Sequence, residues 1–172
     1  MSGHYLIISL LLLSIIWQDF KYRAIYWYLL PLLVICFLLK SHIEENFNPV
    51  SILLNLSVVL AQVGILHLWV YYKNKRWDLH ARYLGWGDVL FFCTTSFYFS
   101  FPLFVIFQVG TLLLIWIGAV LFQIFIKKHF TIPLAGCQAL ILFIMIGLQY
   151  IGKDTTQIID TLLWNNRLIY GF

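Results

Sequence analysis

Two aspartates in this sequence stand where carboxylates are costly. Asp19 closes Trp17-Gln18-Asp19 at the end of one apolar run, and Asp88 closes Gly85-Trp86-Gly87-Asp88 at the start of another. A carboxylate at or within a bilayer points to function by default. The chemistry that wants such a pair is peptide hydrolysis by an activated water. Two carboxylates sharing a site cannot both ionise cheaply, so one of the two is expected to hold a proton near neutral pH. The ionised partner takes a proton from water while the protonated one donates to the carbonyl oxygen. Such a pair titrates as a unit, so the sequence does not say which residue holds the proton. Gly85 and Gly87 lack Cβ atoms, which permits unusual dihedrals or close approach of another chain and leaves room for an extended substrate. Gln18 adjoins Asp19 and is placed to orient it. Asp19 and Asp88 are therefore the candidate catalytic residues, with Gly85, Gly87 and Gln18 as candidate substrate-binding residues. Each aspartate also has a plainer reading: Asp88 as the N-cap of a helix after a glycine turn, Asp19 as a solvated helix-end residue paired with Lys21 or Arg23.

The elements that must position these groups follow from composition. Of 172 residues 62% are hydrophobic and only 10% charged, against roughly 25% charged in a soluble domain. A water-soluble fold of this size could not hide that much apolar surface, so lipid is the expected solvent. Apolar segments run approximately over 4–18, 24–40, 51–72, 88–101, 103–126 and 132–151. A bilayer-spanning helix needs about 20 residues; the first segment is short, which leaves Asp19 close to the hydrocarbon boundary. Residues 89–126 carry no charge and as one helix would run about 57 Å, far beyond a core of about 30 Å. The stretch must fold back, and Ser100-Phe101-Pro102 is the breaker. The expected fold is an all-α membrane protein, a six-transmembrane-helix bundle over residues 1–151 with a cytoplasmic-side aspartate pair. The tail 152–172 is expected to be an amphipathic interfacial helix or disordered.

Lys21, Arg23, Lys73, Lys75, Arg76, Arg82, Lys127 and Lys128 follow the first, third and fifth segments, while only Lys40, Lys153 and Arg167 lie on the other side. That bias places both termini outside and both aspartates on the cytoplasmic side of a multi-pass inner-membrane protein. The net charge of +4 is thus explained by topology, and no nucleic-acid partner is expected. The N-terminus lacks a basic n-region and a small-residue cleavage site and reads as a retained span. Cys36, Cys93 and Cys137 sit inside apolar segments without metal or disulfide spacing, so no metal and no cofactor is expected. His67, Gln62, Gln108, Gln123 and Gln138 read as polar links between spans. The clusters Tyr26-Trp27-Tyr28 and Trp69, Tyr71, Tyr72, Trp77 read as interfacial aromatic belts. Asp78 and His80 read as loop groups, and Glu44 and Glu45 lie on the outer side.

Together these features resemble the type IV prepilin peptidase family, the membrane-embedded Gly-x-Gly-Asp aspartic peptidases. Asp19 ends a first helix before the basic stretch Phe20-Lys21-Tyr22-Arg23, Asp88 ends Gly85-Trp86-Gly87-Asp88, and Thr131-Ile132-Pro133-Leu134-Ala135-Gly136 looks like the Ile-Pro-Phe-type opening of the final helix. Two positions depart: Ile25-Tyr26-Trp27 stands for a common Ile-Pro-Asn, and Leu90 for a lysine two places after the second aspartate. The resemblance implies a protein substrate, a prepilin or pilin-like chain whose short basic leader is cut on the cytoplasmic side. The added cytoplasmic cysteine segment of longer members, linked to N-methylation, has no counterpart here. Two other classes stay open: a proton-coupled small transporter or channel, and a structural membrane subunit without chemistry.

Overall fold

The structure is a computed structural model that describes residues 3–44, 47–74, 85–126 and 133–150. The basic loop residues Lys75, Arg76, Arg82, Lys127 and Lys128, the loop groups Asp78 and His80, and the tail 152–172 lie outside the described residues. Those described form six helices and no strand: α1 (Gly3–Tyr22), α2 (Leu29–Ile43), α3 (Pro49–Asn74), α4 (Trp86–Thr95), α5 (Phe101–Ile126) and α6 (Leu134–Tyr150). In lipid a helix is the one open segment that satisfies its own backbone, which is why apolar runs of this kind take that form.

Gly3–Tyr22, Pro49–Lys73 and Phe101–Phe122 are long and apolar enough to cross a membrane, while Leu29–Ile43 and Leu134–Gln149 are shorter apolar helices. The chain is accordingly a membrane protein. Large apolar side chains such as Leu53, Leu60, Ile65 and Tyr72 line its outside, where a soluble protein would place charge.

Local signals set several boundaries. Asn48 Oδ1 accepts from the amides of Val50 (3.1 Å) and Ser51 (3.2 Å), and Pro49 follows at a position where its missing N–H costs nothing. The first helix runs on past the expected limit at residue 18, so Asp19 sits inside its last turn. That helix ends as Arg23, at φ 55°, donates its amide to the Asp19 carbonyl, a left-handed cap of the kind that glycine fills at less cost.

The largest departure from the sequence reading is α4. It ends at Thr95 rather than near residue 101, and at ten residues it is about 15 Å long, half a hydrocarbon core. Three hydroxyls unpick it. Thr94 Oγ1 donates to the Leu90 carbonyl, and Thr95 Oγ1 and Ser96 Oγ to that of Phe92, a local competition with the helical ladder. Amides 96 to 98 then bond three residues back, the tighter turn that ends many helices. Pro102 falls in the first turn of α5, where it is tolerated, so the break precedes the proline by a few residues.

Helix α6 occupies the centre and packs against α1, α4 and α5, while α2 joins α1 to α4 and α3 flanks α4 and α5. The shared core includes Leu12 and Ile15 from α1, Phe37 from α2, Phe91 from α4, Phe104 from α5 and Leu142 from α6.

Candidate active site

The N-terminus of α6 organises the site. The first amides of a helix have no partner within it and carry the positive end of its dipole, so they are a ready seat for carboxylates. Pro133 lies just before the first helical residue and accepts the Cys137 amide at 3.0 Å. The next free donors are Ala135 and Gly136. The Ala135 amide donates to Asp88 Oδ1 at 2.9 Å, and the Gly136 amide donates to Asp19 Oδ2 at 2.5 Å.

Two carboxylates from α1 and α4 are thereby held by consecutive backbone donors of a third helix. Successive helical amide nitrogens lie about 3 Å apart, so the two accepting oxygens are within about 8 Å of each other, and the charge of Asp19 acts directly on Asp88. Asp19 is 6% exposed, which excludes the plain reading of a solvated helix end. Lys21 is turned to the faces of Trp17 and Tyr22, and Arg23 is near enough to Asp19 for their charges to attract.

Asp88 is not the N-cap of α4. Gly85 holds that place, and Asp88, three residues on, reaches back so that its Oδ2 accepts the Gly85 amide at 3.1 Å. One carboxylate thus ties the starts of two helices together, α4 through Gly85 and α6 through Ala135.

Gly85 has φ −70° and ψ 149°, a backbone that any residue adopts, so the expectation of unusual dihedrals fails there. A Cβ at Gly85 would lie 3.1 Å from Asp88 Oδ2, whereas one at Gly87 would touch only the Ile25 side chain at 3.5 Å. Gln18 serves the adjoining loop: its Oε1 accepts the Tyr26 amide at 3.0 Å, fixing the segment that carries Ile25 over Gly87.

Ala135 and Gly136 stood in the sequence reading only as part of the stretch opening the last helix, not as residues of the site. A Cβ on Gly136 would stand 2.9 Å from Asp19 Oδ2 and 3.1 Å from Asp19 Cβ, so this glycine is what admits the first helix. A proline followed by small residues at the opening of an apolar helix was the available signal. Among the described residues no three His, Cys, Asp or Glu side chains gather where a metal could be held. Compared with known proteins, the chain matches no family model, no curated protein and no solved structure.

Proposed function

We propose that this chain is a membrane aspartic endopeptidase of the prepilin peptidase type, built as a six-helix bundle in the inner membrane with Asp19 and Asp88 facing the cytoplasm. The observation that carries the reading is the seating of both carboxylates on consecutive amides of α6. The two acidic side chains come from separate helices into one poorly solvated place, where a pair of carboxylates is costly and an intramembrane carboxylate points to function by default.

In the proposed reaction a water is held between the two side chains. The ionised carboxylate takes a proton as the water oxygen bonds to the scissile carbonyl carbon, and the protonated carboxyl donates to the carbonyl oxygen. Collapse of the tetrahedral intermediate breaks the C–N bond: the departing nitrogen takes the proton first removed from water, and one hydroxyl of the intermediate returns a proton to the carboxylate that donated, restoring the starting pair. Because Gly136 occupies Oδ2 of Asp19, Oδ1 is the oxygen assigned to the water. Gly85 is assigned to the substrate side of the site, whereas Gly87 faces Ile25 and Gln18 holds the Tyr26 amide, so those two act through the adjoining loop.

The substrate class is a prepilin or pilin-like protein, with a basic leader at the cytoplasmic face and an apolar helix in the bilayer. Asp19→Asn and Asp88→Asn, co-expressed with such a substrate, test the proposal. Each should abolish leader removal while the variant stays in the membrane. Normal cleavage by either one ends the peptidase reading.

A further inference from the structure

A second polar feature lies deeper in the bundle. Gln108 and Thr111 are one turn apart on the same face of α5, and both are buried, as is Gln138 of α6. The Gln138 Nε2 donates to Thr111 Oγ1 at 2.9 Å, that hydroxyl donates to the Gln108 backbone carbonyl at 3.3 Å, and Gln108 Nε2 reaches Gln62 Oε1 of α3 at 3.4 Å. Two side-chain pairs, Gln138–Thr111 and Gln108–Gln62, therefore lie next to each other as a polar seam across α3, α5 and α6. Interhelical bonding accounts for only half of it. Gln108 and Gln138 are both 0% exposed, yet neither Oε1 accepts a hydrogen bond from any described residue.

A buried acceptor without a donor is strongly disfavoured, whereas leucine or methionine would fill either position at no such cost. Complete burial excludes a peptide as the missing partner and suits a ligand of one or two heavy atoms. Buried water typically bridges two to four polar groups of this kind.

We propose that Gln108 and Gln138, with Thr111 between them, enclose an internal water site in the helix bundle. Gln138 is one turn along α6 from Ala135, whose amide holds Asp88, so the site lies about 5 Å deeper than that aspartate along the same helix face.

Water-edited solid-state NMR on the full chain in lipid bilayers tests the site without any variant or substrate. Magnetisation from water should reach the side-chain amides of Gln108 and Gln138 at a rate close to that of exposed groups, while Leu142 and Ile146 of the same core stay dry. Amides as dry as those two residues overturn the proposal. Thr111→Val combined with Gln138→Leu removes the polar lining and should abolish the water signal at Gln108. A Gln108 signal unchanged by the paired substitutions overturns the assignment of the water to this seam.

Discussion

Gly136 and Asp19 are joined twice, by an amide-to-carboxylate hydrogen bond and by a contact too close for a side chain. A Cβ at residue 136 would meet Asp19 Oδ2 at 2.9 Å, Asp19 Cβ at 3.1 Å and Phe20 Cδ2 at 3.0 Å. The carboxylate oxygen could swing aside, but the Asp19 Cβ is fixed to the backbone of α1, so the two helices would have to part. Overpacking of this kind costs about 1–3 kcal/mol. Gly136→Ala is therefore expected to lower the thermal midpoint in detergent and to reduce leader cleavage by about tenfold or more, with membrane insertion kept. Full activity in the alanine variant would show that α1 and α6 do not need this approach.

The two glycines before Asp88 are expected to behave unequally. At Gly85 a methyl group would stand 3.1 Å from the carboxylate oxygen that the same residue's amide holds. At Gly87 it would make an ordinary 3.5 Å contact with Ile25, and alanine inside a helix gains about 0.5–1 kcal/mol over glycine. Gly85→Ala should thus reduce cleavage more than Gly87→Ala, and initial rates of both variants at saturating substrate measure the order. The reverse order would mean that the substrate backbone passes over Gly87.

How much of this was legible in the sequence depends on the distance between a feature and its cause. The long helices α3 and α5 were readable, because length and apolarity are local properties. The two aspartates were also readable, as charges where charge is expensive. The end of α4 was not. Pro102 drew the boundary in the sequence, whereas the helix stops earlier under its own Thr94, Thr95 and Ser96 hydroxyls, and Asn55, 41 residues away, holds the resulting turn. Gly136 was hidden for the same reason, since its need to be glycine comes from Asp19 across the bundle. Gly85 and Gly87 attracted attention by sitting next to an aspartate, yet the strictest glycine is the one adjacent to an aspartate only in space.

The arrangement of basic residues gives an expectation that needs no cleavage assay. Lys73 closes α3 on the side assigned to the cytoplasm, and exposed His42 lies near the end of α2 on the side assigned outward. With Cys36, Cys93 and Cys137 replaced, a cysteine at position 73 should react with a membrane-impermeant maleimide only after the membrane is opened, and one at position 42 should react in intact cells. The opposite pattern would turn the protein over and put the aspartates on the outer face.

Asn55 makes the last prediction, one about stability. It is fully buried in α3, and its Nδ2 donates to the carbonyls of Ser96 at 3.0 Å and Phe99 at 2.9 Å. Both carbonyls belong to the turn after α4, where the helical ladder has stopped. Leucine matches asparagine closely in shape but donates nothing, so Asn55→Leu leaves two buried acceptors short. The expected loss is roughly 2–4 kcal/mol, read as a lower midpoint in thermal or denaturant unfolding in mild detergent. Because α4 carries Asp88 at its other end, a loosened turn should also raise KM or lower kcat for cleavage, whereas an unshifted midpoint would show that the turn is held by its own hydroxyls alone.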